Sequence, residues 1–219
     1  TRFMNQKKNV SQKIYSYSPI SQEKIGEIVP TDLSKIPALF KQAESAQKEW
    51  ASLGYRKRAK YLIAIRDSVI YRMSEIAEII HQENGKTHID ALMTEVGTVI
   101  ESANWLAKNS ARILKPEKLS PGSWIFLNKQ SLIQHVPFGV VGVISPWNYP
   151  FAIPFHEILM GLAVGNAVML KASEHTFLTA VEIESIIQAA ELPEGIFTNI
   201  IHTDGSKVLE AWLKNGIKK

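Results

Sequence analysis

No cysteine occurs among the 219 residues. Disulfides, thiolate metal sites and a cysteine nucleophile are therefore excluded within the chain. No GxGxxG is present either, so the usual dinucleotide fingerprint is missing. Long apolar runs are scarce. The longest, from Ile158 to Leu170, is interrupted by Asn166 and falls short of the roughly 17 residues a membrane helix needs. The start, "TRFMNQKKNVSQK", is polar and lacks the apolar core of a signal peptide. A soluble cytoplasmic protein without a membrane role is the expectation. Charge is also modest, at a formal net +4. Basic residues are mostly interleaved with acids, which argues against a nucleic-acid partner. The densest cluster, Arg56-Lys57-Arg58 with Lys60, reads as a solvated helix face.

What is there suffices for a sizeable core, with 45% hydrophobic residues in one large domain or two small ones. "KIYSYSPISQEKIGEIVP" has two short extended runs around "PISQEK" and predicts a hairpin or arm. Asp32 or Ser34 can cap a helix running to about Leu53, with Ala38, Leu39, Ala43, Ala46 and Trp50 at helical spacing. A second helix is expected from about Tyr55 to Gln82, its stripe being Leu62, Ile65, Val69, Met73, Ile76 and Ile80. Gly85 suits a left-handed cap that stops it. A third runs from about Thr87 to Leu114, with Ile89, Leu92, Val96, Ile100, Ala103 and Leu106 on one face, and Pro116 ends it. "SPGSWIFLNKQSLIQHVPF" reads as one or two long strands with no clear core face. Such strands pair with something else, for example another subunit.

From residue 138 the pattern changes. "GVVGVIS", "AVMLKA" and "FTNIIHT" are short apolar strands, each followed by a helical stretch. This β-α-β-α-β-α order indicates a parallel sheet covered by helices. Ligands of such sheets bind at the carboxyl ends of the strands, where "SPWNYP" and "KASE" lie.

Two motif resemblances fail on inspection. "NGKT" lacks the glycine of a phosphate loop, which would stand at Ile80, and "ENGK" reads as a helix terminus. "HEILM" starts like a zinc helix, but Met160 occupies the second histidine position. "GVVGVISPWNYPF" is more informative. Pro146 and Pro150 can simply end the strand and start the helix, with Trp147 packing and Asn148 bonding the turn. Alternatively, the Asn148 amide can donate to a developing oxyanion without changing protonation state. Holding it on a proline-stiffened turn is worth roughly 3 kcal/mol for a good donor.

Taken together, "YSPISQEKIGEI", "ENGKTHIDALMTEVG", "PFGVVGVISPWNYPF", "GLAVGNAVMLKASEHT" and "AELPEGIFTNIIHTDG" resemble the N-terminal part of the aldehyde dehydrogenase superfamily over nearly the whole chain. The style is nearest to succinate-semialdehyde-type and broad-specificity bacterial members. The resemblance implies an α/β fold: a Rossmann-like parallel sheet with flanking helices, incomplete, plus oligomerisation strands. Residues 1–119 would be the arm and helices of the cofactor domain, 120–137 the oligomerisation segment, and 138–219 the cofactor-binding core. It implies that Asn148 forms half of an oxyanion hole and that Ile144, Ser145, Pro146 and Trp147 line the cofactor cleft. Lys171 and Glu174 would bind the adenosine ribose, with Ser173 between them in the same set and Gly205 beside the adenine. The family binds its dinucleotide without GxGxxG.

The implied activity is oxidation of an aldehyde to a carboxylic acid with NAD, NADP being the alternative. Partners would be the aldehyde and either further copies of the chain or a complementing C-terminal half. There are departures. Ala172 replaces the usual proline after the lysine, and His202-Thr203 replaces Thr-Gly before "DG". The chain stops at "LKNGIKK", where the family continues into "FTGS", the general-base glutamate and the nucleophilic cysteine. The chain alone is expected to bind cofactor weakly and to be inactive. A non-catalytic binding or assembly module that retains the fold is the competing reading.

Overall fold

The computed structural model describes residues 13–217. Its first element is the expected hairpin. Strands β1 (Ile14–Tyr17) and β2 (Lys24–Ile28) pair antiparallel, with Ile14 opposite Ile28. Asp32 then accepts from the Ser34 amide at 2.9 Å and caps a short 3-10 turn leading into α1 (Ile36–Ser52). Ile36, Ala43, Gln47 and Trp50 are its buried residues, while Ala38 is exposed.

The single helix expected from Tyr55 to Gln82 is two: α2 (Gly54–Tyr71) and α3 (Met73–Asn84). Arg72 breaks it, with φ −102° and ψ 10°. Its guanidinium reaches across to α7 (Phe177–Ala189), bonding Glu182 at 2.8 Å and Ser185 at 2.7 Å. A one-residue break hardly disturbs the apolar period, so periodicity could not reveal it; the stripe fails only at Met73, which is exposed. Gly85 closes α3 at φ 84°, as its position suggested.

The third helix begins at its Thr87 cap. It runs through α4 (His88–Ala91), a π turn over Leu92–Val96, and α5 (Gly97–Ile113). Val96 and Ala103 are buried, but Ile89 faces solvent. The π turn widens the coil where Glu95 sits. Gly97 suits that turn, since a Cβ there would lie 3.1 Å from the Leu92 carbonyl oxygen.

Long strands are not formed over 120–137. Only β3 (Glu117–Leu119) and β4 (Ser131–Ile133) pair, antiparallel, with a 3-10 turn over Trp124–Phe126 between them. This arm starts ahead of the expected boundary at 120. Every residue of both strands is exposed, and among the described residues the sheet has only these two strands.

The parallel sheet has the order β5 (Val140–Ile144), β6 (Ala167–Lys171), β7 (Phe197–Asn199). α6 (Ala152–Val164) and α7 connect the strands and pack against the sheet, with α2, α3 and α5 layered over them. α1 and α8 (Gly205–Asn215) cover the other face. β6 is wholly buried, as the central strand of a two-sided sheet must be. The close approach of α8 requires Gly142, since a Cβ there would stand 2.8 Å from the Trp212 ring. No described helix is long and apolar enough to cross a membrane.

One cation departs from its expected setting. Arg58 is buried rather than on a solvated face. It donates to the Trp50 and Ala51 carbonyls at the end of α1 (3.2 and 3.0 Å) and to Ala163 at the end of α6 (3.1 Å). Its charge thus answers the negative ends of two helices at once.

Candidate functional site

The expected site residues gather along the carboxyl edge of the parallel sheet. Ile144, the last residue of β5, pairs in register with Lys171, the last residue of β6. The Ser145 amide donates to the Lys171 carbonyl at 3.1 Å, extending the ladder by one bond. Pro146 then forces the chain off the sheet, since proline cannot donate to a ladder. Ile144, Pro146, Trp147 and Asn148 are exposed along the departing turn. Ser145 beneath them is buried, and its hydroxyl has no partner among the described residues. The Asn148 side-chain amide makes no hydrogen bond among the described residues, while its backbone carbonyl accepts from Lys86 at 2.8 Å.

The second cluster lies at the end of β6. Lys171 is almost wholly buried, and its Nζ donates to Glu174 Oε2 at 2.9 Å. Burial alone would raise the Glu174 carboxyl. The Lys171 hydrogen bond, the residue's own backbone amide and the charge of Lys171 outweigh it and hold the carboxyl below the usual range. Ser173 accepts from the His175 amide and starts the 3-10 turn that carries Glu174. Gly205, at the start of α8, completes the cluster. A Cβ there would lie 3.7 Å from both Cε and Nζ of Lys171, so the backbone of α8 starts in close company with the ammonium. His202 shapes this approach by accepting the Asp204 amide on Nδ1 at 2.9 Å. Asp204 in turn caps α8 through the Lys207 amide.

Residues that sequence reasoning gave no role support the turn from below. Asn84 Nδ2 donates to the Trp147 carbonyl at 2.9 Å. Lys86 Nζ contacts Glu95 Oε1 at 2.5 Å and lies 3.6 Å from the centre of the Tyr149 ring. Glu95, fully buried, accepts from the Phe151 and Ala152 amides at 2.8 and 3.0 Å. The readable signal was an acid inside the otherwise apolar stripe of the third helix. Only the partner segment, some fifty residues on in the chain, explains it.

The arrangement presents an amide donor on a stiff turn and a lysine–glutamate pair able to bond a diol. Both lie on one sheet edge, where parallel sheets bind ligands.

Comparison with known proteins bears on the family and the fold. The sequence model of the aldehyde dehydrogenase family matches residues 5–218. An aldehyde dehydrogenase-like protein of Schizosaccharomyces pombe is 32% identical over 167 residues, covering 76% of this chain and 32% of its own length. A Mycobacterium ulcerans protein provisionally named succinate-semialdehyde dehydrogenase (NADP+) 2 is 34% identical over 176 residues, 79% of this chain and 33% of that protein. The crystal structure of an NAD-dependent benzaldehyde dehydrogenase from Corynebacterium glutamicum superposes with a TM-score of 0.83 at 25% identity. That match covers 94% of this chain and 44% of that one. The chain spans about a third of the length of the curated relatives it matches. By the extent of the family match and the fold it shares with a solved member, the chain belongs to the aldehyde dehydrogenase family.

Proposed function

We infer that the chain forms the adenosine side and one oxyanion donor of an enzyme that oxidises an aldehyde to a carboxylic acid with NAD or NADP. The observation that carries this reading is the juxtaposition of the Ser145–Asn148 turn with the Lys171–Glu174 pair, joined by the register of Ile144 and Lys171.

The residues present fit the adenosine half of such a cofactor. Lys171 and Glu174 offer a donor and an acceptor to a ribose diol, with Ser173 beside them, and Gly205 places the start of α8 next to the ammonium. Ile144, Pro146 and Trp147 offer apolar surface along the cleft, and the buried Ser145 hydroxyl has capacity left for a further bond. When bound, the nicotinamide ring would accept a hydride. Asn148 would donate from its side-chain amide to the aldehyde oxygen as negative charge develops there, with no proton of its own to lose. The 219 residues contain no cysteine, so the attacking thiolate is supplied from outside them, and the chain by itself is inactive.

The test is an NMR titration of the chain with millimolar NAD. Shifts at the amides of Lys171, Glu174 and Gly205, lost in Lys171→Met, are expected. No shift at any of the three in the wild-type chain refutes the reading.

A further inference from the structure

The "ENGK" segment ends a helix, and the fold gives it more to do. Asn84 and Lys86 each hold one carbonyl of the turn above them: Asn84 that of Trp147 at 2.9 Å, and Lys86 that of Asn148 at 2.8 Å. These two carbonyls lie in the two peptide planes that meet at the Asn148 Cα. Each plane is rigid. Fixing both sets φ and ψ of Asn148, and with them the direction of its Cα–Cβ bond. We propose that Asn84, Lys86 and Glu95 form a cradle that aims the Asn148 side-chain amide, with Lys86 as its principal positioning residue.

Every part of the cradle is itself held. Gly85 is in the left-handed region at φ 84°, which turns the chain so that Asn84 and Lys86 face the same loop. The Lys86 carbonyl meets His81 Nδ1 at 2.7 Å. Its ammonium is gripped by Glu95 and covered by the Tyr149 ring. Glu95 is delivered by the π turn, and its other oxygen holds the Phe151 and Ala152 amides where α6 begins. The cradle therefore grips the loop on both sides of Asn148. A solvated lysine would not do this. Lys86 pairs with a carboxylate of zero exposure, so the contact is specific in direction as well as charge.

The effect on catalysis rests on the reading of Asn148 as an oxyanion donor; the effect on the loop does not. Two arms separate them. In the first, backbone order parameters are measured by NMR on the chain for Lys86→Met and Lys86→Arg. Residues 147–149 are expected to fall from about 0.85 to below about 0.6 in Lys86→Met. They should stay near the wild-type value in Lys86→Arg, which keeps the charge and a donor. Leu178 and Thr179, at the start of α7, should not change in either variant. Unaltered order at 147–149 in Lys86→Met overturns the proposal, and so does an equal fall at Thr179.

In the second arm, turnover is measured in the active enzyme that contains this segment. Lys86→Met should lower kcat roughly 10- to 100-fold, as small misplacements of a reacting group do, with KM for NAD changed less than about twofold. Lys86→Arg should restore most of it. Unchanged kcat in Asn148→Ala defeats the functional reading and leaves the first arm to decide the cradle. A crippled Asn148→Ala beside a fully active Lys86→Met overturns the positioning role.

Discussion

Glu83 and Glu95 do the same thing for two neighbouring helices: each buried carboxylate accepts from two consecutive backbone amides where a helix follows a parallel strand. Glu95 takes Phe151 and Ala152 at the start of α6, and Glu83 takes Leu178 and Thr179 at 2.9 and 2.8 Å at the start of α7. Helix starts of this kind are where dinucleotide folds seat a phosphate. Here both are filled by the chain's own anions. The strand–helix order is thus that of a nucleotide fold, while the glycines that let a pyrophosphate approach the first such turn have no task.

Glu83 should be costly to remove. Burial raises its carboxyl, while the Leu178 and Thr179 amides, the Thr179 hydroxyl and Ser16 pull it back. Glu83→Ala leaves those donors without an acceptor and should destabilise the fold by about 3 kcal/mol in urea denaturation. Glu83→Gln should lose less. A change below about 0.5 kcal/mol for the alanine variant would show that water replaces the carboxylate freely.

The pH dependence of stability should carry the mark of Glu182. Burial pushes its carboxyl up to about 7, against the pull of Arg72 and with help from Glu75. The native state thus holds a proton that the unfolded chain releases near 4.3. The contribution is fully present below that lower value and is lost as pH rises through about 7. Its full size is on the order of 3 kcal/mol. In a denaturation series from pH 5 to 8, Glu182→Gln should flatten the decline. An unchanged slope would show that Glu182 is ionised throughout.

Arg58 closes the ends of α1 and α6 with one guanidinium. Arg58→Met should strand three carbonyls and cost about 3 kcal/mol, a fall in Tm of roughly 10 °C for a chain of this length. Arg58→Lys should recover less than half, because one ammonium cannot reach both helix ends in the plane the fork occupies. Equal melting of the lysine variant and wild type would argue that charge alone matters.

Cofactor choice should follow Glu174. Its lowered carboxyl is ionised at neutral pH, held by Lys171. A carboxylate accepts from ribose hydroxyls but repels a 2′-phosphate, so NAD should bind more tightly than NADP. By calorimetry, Glu174→Gln should narrow that ratio by about tenfold. Tighter NADP binding by the wild-type chain, or an unmoved ratio in the variant, would show that the carboxylate does not discriminate.

The arm should drive association. Leu119, Trp124, Ile125, Leu127, Leu132 and Ile133 are all exposed over 117–133. Paired strands this short with open edges are templates for further pairing. Light scattering should show dimers or larger species in the micromolar range, reduced in a Trp124→Ser, Leu127→Ser double variant. A monodisperse monomer at high concentration would contradict this.

Local chemistry made most of the fold legible. The hairpin around "PISQEK", the caps at Asp32 and Gly85 and the three strand–helix repeats after residue 138 appear where side-chain preference and apolar spacing put them. Each is decided over a few neighbouring residues. The break at Arg72 was not legible, because it leaves the apolar period intact and its side-chain partners on α7 lie more than a hundred residues away. The arm misled for the opposite reason. Alternation along "SPGSWIFLNKQSLIQHVPF" suits a strand, but a strand forms only against a partner, and just three residue pairs find one.

The site divides along the same line. The residue types at the sheet edge and the proline-stiffened turn around Asn148 are local facts, and the sequence alone determined them. Their companionship was decided only by tertiary structure. The register of β5 on β6 sets Ile144 beside Lys171, the return of α8 brings Gly205 against the same ammonium, and the π turn carries Glu95 beneath the Asn148 loop. A buried carboxylate is tolerable only where donors meet it, and four of those donors, at 151, 152, 178 and 179, are backbone amides that any residue but proline would supply. Apart from the Thr179 hydroxyl, the letters at 151, 152, 178 and 179 therefore do not announce Glu95 or Glu83; the folded backbone does.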